Sequence, residues 1–382
     1  MEKRAAWIAL ASVDGIGEEI FGKLLAVYGS AANALMAAND GRLDAWIAKR
    51  RRIDGRPPIN GPTVANLRAA ATDPAAAVGD YTDRGLWVLT PLDADFPSRL
   101  RDLDPPPAMI VGRGDAEALR ARRTVALVGT RRPTPAGRLL TSRIAARLVE
   151  CGAVVVSGLA IGIDGAAHAA AIQSGGTTVA VIGAGHDLPG PRAHTKLRED
   201  VVGTGGALIS EYHPKTPAKH GTFPRRNRII AALGDATLVL EAPIHSGARI
   251  TASRALEIGR PVFVAPGRIG DWATAGSLAV LRETLARPIV GLDELVEDLG
   301  YLEPAPSQES GKTTVHSGLE MLGATEQIVA RRLIEGPASL DSLVESTGLA
   351  PAVVSSAVTF LLMRGWVEPV GPTYVVAGVL MR

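Results

Sequence analysis

Five short stretches of the chain concentrate the residue types that bind anions. The most cationic is HGTFPRRNRIIAAL, residues 220–233. Between positions 212 and 234 there is no Asp or Glu, yet Lys215, Lys219, Arg225, Arg226 and Arg228 fall there, with one ring, Phe223, among them. A cationic segment carrying a ring is what a single-stranded nucleic acid requires: charge for the phosphates and a flat face for a base. Pro224 has a preset φ and suits the first turn of a helix. Ile229, Ile230 and Leu233 recur at helical spacing. The stretch therefore reads as a loop delivering Lys219, Phe223 and arginines, followed by a packed helix. Composition alone leaves a second reading open, a basic helix start that faces water around an ordinary core ring.

The other four stretches are rich in glycine. VGTRRPTPAG, residues 128–137, sets Gly129, the Thr130 hydroxyl, Arg131 and Arg132 ahead of a helix start, an arrangement that suits phosphate. From 118 to 149 there are eight arginines and no acid. In SGLAIGIDGAAH, residues 157–168, Ser157, Gly158 and the later glycines can turn backbone amides towards an anion. Asp164 caps the next helix or orders the loop, and His168 is read as a buried structural residue. VIGAGHDLPG, residues 181–190, begins like a dinucleotide fingerprint, but Leu188 occupies the place of its third glycine, which argues against NAD. EAPIHSGARITASRALE, residues 241–257, sets Ser246 and Gly247 before a helix whose first turn carries Thr251. Together the loops describe a glycine- and arginine-rich groove, a better fit to a continuous polyanion than to one small phosphate.

Catalytic readings fail on spacing. GKTT at 311–314 ends like a phosphate loop, but the position of its first glycine is Pro306 and no strand precedes it. No Ser-His-Asp set or paired carboxylates stand out. The seven histidines, at 168, 186, 194, 213, 220, 245 and 316, lack zinc-type spacing. No catalytic residue, cofactor or metal is expected.

These loops need elements to hold them. From Thr124 onward strands alternate with helices. TVALVG, AVVVSG, TTVAVIGAG, GALISE, ATLVLEA and PVFVAPG read as strands; AGRLLTSRIAARLVEC and DGAAHAAAIQSG read as helices. Continuous apolar strands between helices indicate a parallel sheet covered on both faces. The fold class is α/β, a Rossmann-like doubly wound, mostly parallel sheet whose site lies beyond the strands' carboxyl ends. It spans 81–300, with a strand–proline–strand lead-in over 81–118. Residues 1–80 read as an N-terminal helical module of SAM or helix-hairpin-helix type. Its VDGIGEE turn either holds a phosphate or simply packs, since Asp14, Glu18 and Glu19 would repel one. KRRRIDGRPP, residues 49–58, reads as a basic surface loop, and 62–79 as a short helix. A polar linker, 301–319, leads to a winged helix at 320–382. The third helix of that domain carries only Arg364 as a cation, which favours a protein-contact or structural role over reading a major groove.

Bulk properties bound the function. A chain of 382 residues holds two or three domains. A net charge of +2 means that nucleic-acid binding must come from local patches. Only seven of the 41 basic residues are Lys, and the arginine fork favours bidentate phosphate contact. A single cysteine, Cys151, excludes an intramolecular disulfide and fits a reducing, cytoplasmic setting. The first residues lack a signal peptide's apolar core, and no run of 18 apolar residues forms a membrane span.

VALVGTR, SGLAIGIDGAAH, TTVAVIGAG, ALISEYHP, FPRRNRIIAAL and LVLEAPIHSGARITASRALEIGRPVFVAPG follow one another over roughly residues 85–299. With DADFPSRLRDLDPPPAMIVGRG before them, they resemble the DNA processing protein A (DprA, or Smf) family in order and spacing. The resemblance implies a non-enzymatic, single-stranded DNA-binding recombination mediator. Such a protein protects incoming strands, loads the RecA recombinase during natural transformation, and dimerises through its Rossmann domain. It implies a DNA-contacting set of Gly129, Thr130 and Arg131; Ser157 and Gly158; Lys219 and Phe223; Arg226, Asn227 and Arg228; and Ser246 and Gly247. The residues themselves leave Arg226, Asn227 and Arg228 open between DNA contact and bracing the loop, with Glu211 or Glu241 as partners for Arg228. Three departures stand out. Gly129-Thr130-Arg131 replaces the usual Gly-Ser-Arg and keeps a hydroxyl. HDLPGPRAHTKL replaces the family's Leu-Asp, Tyr-Pro and Glu-Asn. Arg249 stands at a usually apolar position and is expected to add a cation near the groove. The competing classes are a phosphoribohydrolase-like nucleotide enzyme, whose Pro-Gly-Gly-x-Gly-Thr-x-x-Glu signature is absent, and a winged-helix regulator of duplex DNA.

Overall fold

Strands buried on both faces need apolar residues at every position, and the central sheet is built that way. The computed structural model describes residues 2–55, 57–218, 221–301, 319 and 322–377. Among them the large sheet has nine strands: β1 (Trp87–Leu89), β2 (Ile110–Gly114), β3 (Thr124–Val128), β4 (Val154–Ser157), β5 (Thr178–Val181), β6 (Ala207–Ser210), β7 (Ala236–Val239), β8 (Val262–Val264) and β9 (Arg287–Pro288). Every residue of β3 to β8 is buried. Alternate side chains serve opposite faces: Ala126 and Val128 join the core with Ile209, Ile229 and Leu233, whereas Val125 and Leu127 join Ile144, Leu148 and Phe263.

The strand order is β1-β2-β6-β5-β4-β3-β7-β8-β9. β3 to β9 run parallel, and the lead-in strands β1 and β2 add antiparallel at one edge. The six strands expected from Thr124 onward are present; β9, only two residues long, was not foreseen. The chain steps outward from β3 through β4 and β5 to β6, then crosses back to place β7 on the other side of β3. The carboxyl ends of β3 and β7 therefore flank the topological switch point, where sheets of this kind open a ligand crevice. The crossing is made by the helix Thr222–Leu233, the segment that carries the arginine cluster.

Six helices precede the sheet: Lys3–Ala11, Glu18–Tyr28, Ala31–Asn39, Arg42–Asp54, Gly61–Thr72 and Pro74–Asp83. They enclose a core around Leu10, Phe21, Leu35 and Leu67. Two local expectations change. Residues 49–54 are the last turns of a helix rather than a loop, and the helix ends only where Gly55 takes a left-handed conformation. The helix read over 62–79 is two helices. Asp73 caps the second by accepting from Ala75 N and Ala76 N, and Pro74 opens it. These helices and the sheet form one compact unit, Met1–Ala305. Arg4 pairs with Asp93 at 2.7 Å, and Trp7 Nε1 donates to the Ala108 carbonyl at 2.7 Å.

The second unit, Pro306–Arg382, has helices Ala324–Ile334, Leu340–Thr347 and Pro351–Met363. With them go β10 (Ala338–Ser339), β11 (Val367–Val370) and β12 (Thr373–Val376), in the order β10-β12-β11. This is a winged helix, with a third short strand beyond the two-stranded wing expected. Val329, Leu343, Val354, Leu361 and Trp366 fill its core. The segment 302–318, including the GKTT stretch, lies outside the described residues. Among the described residues no single helix is long and apolar enough to cross a membrane. Cys151 is buried, and burial raises its thiol pKa.

Candidate nucleic-acid interface

The crevice at the switch point is built by stitching loops to one another. Thr130 N donates to the Glu241 carbonyl at 2.7 Å, and Ile163 N donates to the Thr130 carbonyl at 3.1 Å, so the loops after β3, β4 and β7 share a hydrogen-bonded seam. Gly162 lies in that seam at φ +101, with no room for a Cβ against the Thr130 carbonyl. The Glu241 carboxylate is buried and accepts from Thr134 N at 2.8 Å and Thr134 Oγ1 at 2.9 Å. Thr134 in turn caps the helix Pro135–Glu150 by accepting from Gly137 N. Glu241, considered in the sequence only as a partner for Arg228, is thus the organiser of the loop that carries Arg131. The cap pattern at Thr134 was legible; the acid behind it, 107 residues away, was not.

The three arginines of the crossing helix have separate fates. All lie on the helix, as does Phe223, because Thr222 already starts it. The fixed φ of Pro224 is compatible with the first turn, where backbone N–H groups lack intrahelical partners. Arg226 is buried; its Nη1 donates to the Gly158 carbonyl at 2.6 Å and also to the Val181 carbonyl. It therefore ties together the ends of β4 and β5. Asp164, also buried, is pushed up in pKa by desolvation and held back by the Arg226 charge. Gly158 is squeezed between them: a Cβ would lie 2.6 Å from Asp164 Oδ2 and 2.7 Å from Arg226 Nη1. Asn227 accepts from Arg226 Nε at 3.2 Å and donates to the Gly247 carbonyl at 3.4 Å. Arg228 pairs with Glu211 and donates to the Pro105 carbonyl at 2.9 Å. Burial pushes Glu211 up to about 7, against the pull of Arg228. Arg225 pairs with Glu18 of the N-terminal helices at 2.8 Å. Arg226, Asn227 and Arg228 thus each make bracing contacts, and the partner of Arg228 is Glu211. The Ser157 hydroxyl is fully buried and donates to the Leu127 carbonyl at 2.6 Å.

What stays open to solvent is smaller. Arg131 is exposed, with its Cζ 5.4 Å from the centroid of the Phe223 ring. Among the described residues no carboxylate pairs with Arg131 or with the neighbouring Arg132. Phe223 is half-buried beside Gly183. Thr130 is buried and its Oγ1 accepts from Arg132 N at 3.2 Å. Ser246 caps the helix Gly247–Glu257 by accepting from Ala248 N, and Gly247 is exposed. Lys219 lies outside the described residues. Arg249 does not add a free cation: it pairs with Glu283 at 2.9 Å and donates to the Ile244 carbonyl.

Two cavities meet at the Arg131–Phe223 pair, which lines both. One, about 430 Å³, runs from Gly129 and Thr130 past Asn227 to Ser246 and Gly247. The other, about 260 Å³ and mostly apolar, continues towards Ile182, Leu188 and Arg198. Gly129, Thr130, Arg131, Phe223, Arg226, Asn227, Ser246 and Gly247 all line the first cavity. Gly158 lines the second, and Arg228 lines neither. His168 is structural as read; it shares a 2.7 Å hydrogen bond with Thr178, and burial pushes its pKa down to about 3. Among the described residues no group of three His, Cys, Asp or Glu is placed to hold a metal.

The chain is similar to known proteins. A family model described as DNA recombination-mediator protein A matches residues 87–300, and one for the DprA winged helix domain matches residues 316–371. A putative DNA processing protein DprA from Mycobacterium tuberculosis strain H37Rv is 35% identical over 305 residues, covering 75% of each chain. The DNA processing protein DprA of Streptococcus pneumoniae strain R6 is 39% identical over 206 residues, 54% of this chain and 72% of that one. Among solved structures, DprA from S. pneumoniae superposes with a TM-score of 0.56 at 33% identity, covering 63% of this chain and 83% of that one. DNA processing protein A from Helicobacter pylori, in a structure described as giving insight into its single-stranded DNA binding mode, superposes with a TM-score of 0.51 at 29% identity. That match covers 56% of this chain and 95% of the other.

Proposed function

Because the chain belongs to the DNA recombination-mediator protein A family, we propose that it binds single-stranded DNA in the crevice at the β3–β7 switch point. It then protects the strand and passes it to a RecA-type recombinase during DNA uptake. The observation that carries the reading is the exposed, acid-free Arg131 laid over the Phe223 ring between two cavities. A cation and a π-face at one point serve a phosphate and its base together, and stacking of this kind is worth about 1–3 kcal/mol per base. The braces fit the same purpose. Arg226, Asn227, Glu241 and Ser157 hold the loops so that backbone amides and Arg131 keep fixed places, and little ordering entropy is lost when the strand arrives. Base edges are not selectively read in such a site, so binding is sequence-tolerant. The proposal is one of binding, without a bond-making step.

Self-association is part of the proposal. Leu285 and Val290, 92% and 75% exposed, flank β9 at the end of the sheet, and Ile269 and Trp272, 97% and 63% exposed, follow β8, the strand beside it. An apolar surface beside an unpaired strand edge is suited to a second copy of the chain.

The test is a titration of labelled single- and double-stranded oligonucleotides at two salt concentrations, with Arg131→Ala and Phe223→Ala beside the parent. Single strands should be preferred. Arg131→Ala should weaken binding and flatten the log–log salt slope by about 0.7. Phe223→Ala should cost about 5- to 150-fold in affinity. Equal binding of duplex, with both substitutions silent, would sink the reading.

A further inference from the structure

We propose that Arg198 is a ligand contact: its guanidinium binds a phosphate carried by a nucleotide in the cavity it shares with Arg131 and Phe223. The inference rests on the reading of the crevice as a single-stranded DNA site and extends it to a residue outside the set expected there. Arg198 belongs to the helix Thr195–Gly203 and is half-buried. Other sunken arginines of this unit have acceptors: Arg99 has Asp235, Arg228 has Glu211, Arg260 has Asp102, and Arg226 has two carbonyls. Arg198 has neither a hydrogen bond nor an ion pair among the described residues. Its head lies against Gly190, where a Cβ would stand 2.8 Å from Nη1.

A long cation can lay its stem on apolar surface and keep its head in water, which is the ordinary explanation for an unpaired arginine. Here the head itself is partly desolvated. Burial pulls its pKa down, and the nearby Arg113 charge pulls it further. Taking a charge out of water towards a like charge costs free energy that nothing in the chain returns. An anion in the cavity would return it. The remaining wall, with Ile182, Leu188 and Phe223, is apolar and gives the rest of a nucleotide a dry surface. One phosphate chemistry has two sources, a phosphodiester of the bound strand or a free mononucleotide.

Arg198→Met in the full chain keeps the stem and removes the charge. Gly190→Ala keeps the charge and pushes the guanidinium aside. Both are titrated with a single-stranded oligonucleotide and with a deoxynucleoside monophosphate, and thermal midpoints are recorded. For a strand phosphate, Arg198→Met flattens the salt slope by about 0.7, so that the parent's advantage shrinks about threefold between 0.05 and 0.2 M salt. Gly190→Ala weakens binding in the same direction. The midpoint holds or rises, because an unpaired, half-buried cation has been removed. Loss confined to the mononucleotide arm assigns the contact to a free nucleotide. Unchanged affinity in both arms overturns the proposal, as does a lowered midpoint with unchanged affinity, the signature of a mere brace. A parent that does not prefer single strands refutes the underlying reading instead, and the parent titration alone reports it.

Discussion

Replacing Arg226 with leucine separates bracing from DNA contact. The guanidinium is 5% exposed, donates to the carbonyls of Gly158 and Val181, and supplies the charge that offsets burial of Asp164. Arg226→Leu orphans two carbonyls and leaves a buried carboxylate without its cation. Breaking a buried charge pair from one side costs about 3–5 kcal/mol, or roughly 6–20 °C in thermal midpoint for a domain of around 200 residues. The pH dependence has a definite sign. Asp164 is already raised in pKa by burial, and loss of Arg226 raises it further, so the folded variant takes up a proton that its unfolded chain releases. The deficit should therefore be smaller at pH 5 than at pH 8. Adding Asp164→Asn removes the stranded charge and should recover part of the loss, and the double-mutant cycle gives the coupling. The assay is thermal unfolding at the two pH values, with the oligonucleotide titration alongside. If Arg226→Leu melts with the parent while losing single-stranded DNA and flattening the salt slope, Arg226 is a contact and the bracing argument is wrong.

Glu241→Ala should cost about 2–4 kcal/mol, because Thr134 N and Oγ1 lose their shared acceptor; denaturant unfolding measures it, and single-stranded DNA affinity should fall with it as the Arg131 loop loosens. His168 is held neutral by burial with its pKa pushed to about 3, so its contribution is present above pH 6.5 and is lost as pH falls towards 3. By pH 5 that amounts to about 2 kcal/mol. Glu211, raised to about 7, works the other way: between pH 7 and 4.5 the folded state binds the extra proton, and stability falls as pH rises through that window. The readout is therefore the difference between parent and His168→Asn stability profiles from pH 7 to 5; profiles of equal slope would refute the assignment. Leu285→Arg places a charge on the exposed patch around β9 and should leave the chain monomeric in sedimentation velocity at concentrations where the parent self-associates.

Local pattern carried the chain a long way. The strands β3 to β8 were legible because a strand buried on both faces has almost no polar position to interrupt it, and β3, β4, β5 and β8 run into glycine within three residues. The carboxyl-end loops, and with them the Arg131–Phe223 neighbourhood, followed from strand–helix alternation. The two-residue β9 was not legible, since two residues carry no period, and neither was the helical state of 49–54, where four consecutive cations resemble a loop in composition. What only tertiary structure decided is the division of labour among the charges. Arg225, Arg226 and Arg228 fall within four consecutive positions of one helix and look alike in sequence. Yet one reaches Glu18 across 207 residues, one reaches the Gly158 carbonyl across 68, and one pairs with Glu211 across 17. Each helical position turns the side chain by about 100°. The three forks therefore meet three different surroundings, and only the packed sheet and the N-terminal helices determine what those surroundings are.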